Sequence, residues 1–221
     1  MTAIVTGAGR GIGLAVADRL AADGHEVVRV DLQPGDGILV ADVTSAEDRE
    51  RILEAAGPEV HVLVNNAGIT RDARVVKMTD EDFLAVIRVN LGAAYELTTA
   101  LIPRFADGAA VVSLASRAYL GNFGQFNYSA SKGGLVGMTR ALALQLAPRV
   151  RVNAIAPSLT ASEMTAAMPE KVLEKMIASI PLGRMAETAE IAETIATLAS
   201  PAMAYVTGQV VVACGGRSLA P

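Results

Sequence analysis

With one cysteine in 221 residues, Cys214, no intrachain disulfide can form, and such a chain is expected in a reducing cytoplasm. One cysteine and two distant histidines, His25 and His61, supply no cluster for zinc. Tryptophan is absent, and Phe and Tyr number four each, so the core must be built from Ala, Val, Leu and Ile. Long apolar runs are missing too: Val60–Val64 and Ala109–Val112 fall far short of the ~20 residues that span a bilayer. The first residues, Met1-Thr-Ala-Ile-Val-Thr-Gly7, carry no charged segment ahead of an apolar one, so neither a secretion signal nor a membrane association is expected. Positive charge is short as well. A formal net charge of −4 argues against a nucleic-acid partner. What remains, 52% hydrophobic and 19% charged residues, describes a globular chain, and its length fits one α/β domain over residues 1–221 better than two.

Short β-branched runs alternate with longer helical patterns, the signature of βαβ units. Strands are expected at Ala3–Thr6, Glu26–Asp31, Ile38–Ala41, Val60–Asn65, Ala109–Leu114, Arg151–Ile155 and Gln209–Ala213. Several are apolar on both faces, as strands covered by helices on both sides should be. Helices are expected at Gly13–Asp23, Ser45–Ala56 (capped by Thr44 or Ser45), Asp80–Ala106, Phe126–Leu146, Ala161–Ser179 and Thr188–Ala199. The fold class is therefore a Rossmann-type, doubly wound parallel sheet of about seven strands with helices on both faces. Only Leu32–Gly37 joins the second and third strands, where a parallel crossover commonly holds a helix. No regular helix is expected there, and the adenine side of a nucleotide site should be more open than is usual.

Thr6-Gly-Ala-Gly-Arg-Gly-Ile-Gly13 follows the first strand and opens a helix. A diphosphate needs main-chain N–H donors, the positive end of a helix dipole and no Cβ atoms in the way. Gly7 suits the tight turn, Gly11 the approach of the backbone to phosphate, and Gly13 the packing of helix on strand, with Gly9, Arg10 and Ile12 completing the loop. Asp31, at the end of the second strand, is placed to hold the adenosine ribose diol. Tyr128 and Lys132 are four apart and share a helix face. An ammonium beside a phenol favours the phenolate, so Lys132 is expected to lower the Tyr128 pKa.

The glycine loop, Asn65-Asn-Ala-Gly68 and Tyr128-Ser-Ala-Ser-Lys132 together resemble the short-chain dehydrogenase/reductase family. The likeness continues through Arg151-Val-Asn-Ala-Ile-Ala-Pro157, Ile180-Pro-Leu-Gly-Arg184 and Val206-Thr-Gly-Gln209. It implies a nicotinamide cofactor, Tyr128 as general acid/base, Lys132 bound also to the nicotinamide ribose, and Asn90 holding a water that relays protons to Lys132. A serine near the end of the fifth strand donates to the developing alkoxide. Ser113 and Ser116 compete for that role, and Gly121-Asn-Phe-Gly-Gln125 favours Ser116, although its spacing of twelve to Tyr128 is one short for the family. The resemblance also assigns Asp42 and Val43 to the adenine, and Asn66, Ala67 and Gly68 to the cofactor. Pro157, Thr160 and Ser162 fall around the carboxamide. Ser158 stands where the family has glycine and restricts φ there, and Ser162 stands where threonine is usual. Cys214 reads as a structural thiol with no basic partner.

Asn66-Ala-Gly-Ile-Thr-Arg-Asp72, with Lys77-Met-Thr79, is similar to 3-oxoacyl-ACP and acetoacetyl-CoA reductases in particular. The substrate this implies is an acyl thioester, on acyl carrier protein or coenzyme A, reduced at C3. A dehydrogenase of free secondary alcohols, sugars or steroids and a non-catalytic dinucleotide sensor are the competing readings. Phe123, Phe126, Met164 and Met168 could line an apolar cleft, but such residues are more often core or subunit-interface contacts and are not counted in the site. Asp31 favours NAD(H), while Arg10 would attract the extra phosphate of NADP(H). The family's habit implies a homotetramer or dimer through Leu91–Leu101 and Arg140–Ala147.

Overall fold

The computed structural model describes residues 1–162, 165 and 168–219. All seven strands lie in one parallel sheet of order β3-β2-β1-β4-β5-β6-β7. The strands are β1 (Thr2–Thr6), β2 (Glu26–Asp31), β3 (Ile38–Val40), β4 (Val60–Asn65), β5 (Phe105–Leu114), β6 (Val150–Pro157) and β7 (Val210–Ala213). The helices are α1 (Gly11–Ala22), α2 (Ala46–Ala56), α3 (Asp80–Ile87), α4 (Ala93–Leu101), α5 (Phe126–Leu146), α6 (Glu170–Ala178) and α7 (Thr188–Ala199).

Alternation along the strands builds two cores. Ile4, Leu63, Val111 and Val152 point to one face and pack with Ile52, Leu97, Leu101 and Leu142 of α2, α4 and α5. Their neighbours Ala3, Val5, Val64, Val112 and Ile155 point to the other face, against Val16 and Leu20 of α1 and Ile191 and Ile195 of α7. The chain steps outward from β1 to β3, then returns to the other side of β1 with β4. That reversal opens a crevice at the carboxyl ends of β1 and β4, where open α/β sheets bind ligands.

The short crossover has a simple geometry. Arg29, Val30 and Asp31 pair with Ile38, Leu39 and Val40, so β3 lies beside only the last residues of β2. The chain therefore retreats about two residues, roughly 7 Å, and six residues suffice without a helix. Gly37, at φ +65°, turns it into β3. Ser45 caps α2 by accepting from Asp48 N at 3.2 Å.

Two helices differ from expectation. The predicted Asp80–Ala106 helix is interrupted by a π-helical turn at Arg88–Gly92 and ends at Leu101. Pro103 lies in the 3-10 turn Ile102–Arg104, and Phe105 already belongs to β5. Proline lacks an N–H and ends the ladder, while the apolar spacing simply runs on from helix into strand. The expected Ala161–Ser179 helix is present as α6 from Glu170; residues 163–164 and 166–167 lie outside the described residues. Among the described residues no helix is long and apolar enough to cross a membrane.

Candidate active site

The phosphate loop joins β1 to α1. Gly7 and Gly11 adopt φ +65° and +57°, which only glycine takes without strain. At Gly13 the constraint is contact: a Cβ there would lie 1.9 Å from the Gly7 carbonyl oxygen. Arg10 occupies the α1 N-cap in extended backbone with no side-chain cap bond, so the N-terminal N–H groups face the loop. Ile12 packs on the core shared with α7. The cradle is bare of side chains where a diphosphate requires it, and its donors suit an anion.

Asp31 sits against this loop. Its Oδ2 accepts from Gly9 N at 2.9 Å, its Oδ1 from Gln33 N at 3.1 Å, and a Cβ on Gly9 would come within 3.0 Å of the carboxylate. The acid thus touches the diphosphate loop, where a ribose attached to that diphosphate has to pass. Beyond β3, Asp42 accepts from Thr44 N and Oγ1, both 2.8 Å, and donates its own N–H to Asp48. Val43 is half-buried against the core and lines a small cavity with Thr6 and Ala67.

Asn66 laces β4 to β1. Its Nδ2 donates to the carbonyls of Thr6 and Gly7 at 2.8 and 3.0 Å, and Thr6 Oγ1 accepts from the N–H groups of Asn66 and Ala67. Thr6 is a positioning residue that sequence reasoning missed; its place as the last residue of β1 was the available signal. Gly68 keeps the floor thin, because a Cβ would meet Asn90 Oδ1 at 3.1 Å and Lys132 Nζ at 3.6 Å.

Asn90 lies buried within the π turn. Its amide pairs with both main-chain groups of Ile69, at 2.8 and 3.0 Å, and donates to Ser131 Oγ at 3.1 Å. The extra residue of a π turn re-aims the side chain, here across to the loop after β4. Ser131 was not anticipated, nor was Asn127, which holds the carbonyls of Arg71 and Asp82 at 2.9 and 3.3 Å and so fixes the start of α5.

Tyr128 and Lys132 share one face of α5, with Nζ 5.5 Å from the phenol ring centroid. Lys132 is 3% exposed and donates to the Leu114 carbonyl at 2.6 Å; burial pulls its pKa down to about 8. Tyr128 departs from the sequence expectation. Burial raises its pKa, a hydrogen bond with Ser116 works against this, and the Asp72 charge adds to the rise. Burial outweighs the opposing Ser116 hydrogen bond, so at neutral pH the proton stays on Tyr128.

The two candidate serines separate cleanly. Ser116 faces the Tyr128 phenol and accepts from Ala118 N at 3.2 Å. Ser113 is fully buried beside Asn65 Nδ2, 3.5 Å away, which also donates to Thr98. After β6, Ser158 has no positive φ, so serine fits where the family has glycine. Its N–H donates to Ala213, Thr160 bridges to Ala186, and Ser162 N donates to Thr165 Oγ1 at 2.9 Å, which fixes the segment from Pro157 to Ser162 at the sheet end. Cys214 does have a basic neighbour: hydrogen bonds from Ser218 and Gly216 and the Arg117 charge outweigh burial and lower its pKa. Phe123 and Phe126 are exposed, and Met164 lies outside the described residues. No cluster of metal-ligating side chains occurs among the described residues.

A family profile described as enoyl-(acyl carrier protein) reductase matches residues 7–218. The chain is 39% identical over 235 residues to a 3-oxoacyl-[acyl-carrier-protein] reductase of Thermotoga maritima, with 96% of each covered. It is 34% identical over 233 residues to the Escherichia coli protein of the same description, covering 97% of this chain and 96% of that one. A crystal structure from Brucella melitensis, titled a short-chain dehydrogenase/reductase of the glucose/ribitol dehydrogenase type, superposes with a TM-score of 0.93 at 32% identity, covering 98% of this chain and 96% of that chain.

Proposed function

The chain belongs to the short-chain dehydrogenase/reductase family and is an oxidoreductase that uses a nicotinamide dinucleotide, and from that premise we propose that it reduces 3-oxoacyl thioesters to 3-hydroxyacyl thioesters. The observation that carries this reading is the convergence of the Ser116 and Tyr128 hydroxyls ahead of the buried Lys132. Two O–H groups on one side suit an oxygen that gains negative charge and then a proton, as a ketone does on reduction. Ser116 donates to that oxygen. Tyr128, which burial keeps protonated, delivers the proton. Lys132 and Asn90 hold the far side of the centre and lead toward the proton's replacement. Gly7, Gly9, Gly11 and Gly13 accommodate the diphosphate, Asp31 the ribose diol, Asp42 and Val43 the adenine, and Asn66 to Gly68 with Pro157, Thr160 and Ser162 the nicotinamide end. When bound, the nicotinamide supplies the hydride to C3.

NADH is the proposed preferred cofactor. Asp31 gains the ribose hydroxyls of NADH but faces a phosphate in NADPH, a loss of hydrogen bonds that outweighs the attraction of Arg10 for that phosphate. The preference should reach at least roughly tenfold in kcat/KM, about 1.4 kcal/mol. The acyl carrier is a carrier protein or coenzyme A, catalysis takes place in the cytoplasm, and the chain assembles as a tetramer or dimer through α4 and α5, where Tyr95 and Leu144 are exposed apolar side chains. The test is a panel of acetoacetyl-CoA, longer 3-oxoacyl thioesters and simple secondary alcohols, run in both directions with NADH and NADPH. Turnover confined to free alcohols would replace this reading with that of an alcohol dehydrogenase. NADPH used as well as NADH would overturn the role given to Asp31.

A further inference from the structure

Tyr128 is the third residue of α5, in the first turn, where N–H groups have no partner within the helix. Gln125 stands at the N-cap and makes no side-chain cap bond. The cap comes from inside the helix instead: Asn127 Oδ1 accepts from Tyr128 N at 2.7 Å. Asn127 is fully buried, and its amide also donates to the carbonyls of Arg71 at 2.9 Å and Asp82 at 3.3 Å. Arg71 belongs to the loop after β4, which opens with Asn66, Ala67 and Gly68 and whose Ile69 is gripped by Asn90. Asp82 lies in the first turn of α3. One buried side chain thus joins the main chain at Tyr128 to the loop given to the nicotinamide end. A second tie runs alongside. Ala73 N donates to the Gly124 carbonyl at 2.8 Å, and Gln125 Nε2 to Asp72 Oδ2 at 2.9 Å. Asn122 Nδ2 braces Gln125 Oε1 at 2.7 Å. The loop after β5, which carries Ser116, is therefore fastened to the loop after β4 just ahead of Tyr128.

Helix propensity does not ask for an amide here, since Asn competes with the helix for main-chain bonds, and a buried amide is costly unless its polar atoms are bonded. In Asn127 both the oxygen and the nitrogen are bonded, to main chain of three separate segments. The consequence is one of aim. First-turn N–H groups are not held by the helix ladder, so the direction of the Tyr128 side chain depends on how that turn is anchored. The Tyr128 and Ser116 hydroxyls have to converge on one oxygen, and a misplacement of about 1 Å can cost roughly 10²-fold in rate.

We propose that Asn127 is a positioning residue: by tying the start of α5 to the loop after β4 it holds the Tyr128 phenol in register with Ser116 and the nicotinamide, and the Gln125–Asp72 bond reinforces the tie. This rests on the reading of Tyr128 as proton donor but not on the identity of the acyl carrier, so any ketone that the wild type reduces serves as substrate. Asn127 acts through Tyr128, so its removal should cost no more than removal of the phenol itself, roughly 10²–10⁴-fold.

The test is a double-mutant cycle in kcat, read at saturating cofactor on the pH-independent part of the rate profile, with cofactor affinity followed by nicotinamide fluorescence. Asn127→Ala should lower kcat at least roughly tenfold and leave the ketone KM and the cofactor affinity within about threefold. In a Tyr128→Phe background the same substitution should change kcat by less than about twofold, because the group it aims is gone. A merely structural role would cost the same factor in both backgrounds. That result, or an Asn127→Ala kcat within twofold of wild type, overturns the proposal. If Asn127→Ala does not fold, the half-buried Gln125 decides. Gln125→Ala should lower kcat at least about threefold in the wild-type background and leave it unchanged in Tyr128→Phe; an unchanged kcat in the wild-type background, or equal factors in both, refutes the positioning role. A Tyr128→Phe protein that keeps more than half the wild-type rate would sink the proton-donor reading itself. A Tyr128→Phe loss without an effect at Asn127 would sink the positioning role alone.

Discussion

Replacing Lys132 by Met should make the fold more stable at neutral pH while removing activity. Lys132 is 3% exposed and its pKa is lowered to about 8 by burial, against about 10.4 in an unfolded chain. Between those values the unfolded chain binds more protons than the folded one, so raising the pH through this window stabilises the wild type. At pH 7 the buried ammonium costs about 3 kcal/mol; at pH 9.5 the cost falls to about 1 kcal/mol. The bond to the Leu114 carbonyl offsets part of this at pH 7, but the pH dependence survives. The assay is urea unfolding of both proteins at fixed protomer concentration and several pH values. The stability of the wild type relative to Lys132→Met should rise by about 2 kcal/mol from pH 7 to 9.5, or roughly 4–8 °C in relative Tm. A relative stability that stays constant within about 0.5 kcal/mol would refute a desolvated ammonium at this position.

Tyr128→Phe should lower kcat by roughly 10²–10⁴-fold with cofactor affinity retained, read from initial rates and nicotinamide fluorescence titration; more than half the wild-type rate would remove Tyr128 from its role. Ser116→Ala should cost far more turnover than Ser113→Ala, because Ser113 is enclosed beside Asn65 while Ser116 faces the phenol. Gly13→Ala should destabilise the fold by about 1–3 kcal/mol and weaken dinucleotide binding at least tenfold, since its Cβ would lie 1.9 Å from the Gly7 carbonyl oxygen. Arg151→Met strips donors from the carbonyls of Leu198, Ala199, Ser200 and Val206 and should cost about 3 kcal/mol in urea unfolding, with little change in kcat for the protein that remains folded.

The strands, the glycine loop and the helix carrying Tyr128 and Lys132 were legible in the sequence because each is a local property. Continuous apolar runs such as Ala3-Ile4-Val5 announce a strand covered on both faces, and a glycine trio between strand and helix answers to steric limits within a dozen residues. The break in the expected Asp80–Ala106 helix was less legible, because apolar spacing continues through Leu101 into Phe105 and cannot mark where helix becomes strand. The π turn at Asn90 was hidden for a related reason: it is held by Ile69 and Ser131, partners far away in the chain. Spacing on α5 placed Lys132 beside Tyr128 but gave the wrong sign for the phenol's shift. Charge proximity is local, whereas desolvation depends on everything packed around the pair. Asn127 and Arg71 stand 56 residues apart, and only the packing of the loop after β4 against the start of α5 brings them together. Local rules thus fixed the elements and the family motifs, while strand order and burial decided which side chains meet and what charge each can carry.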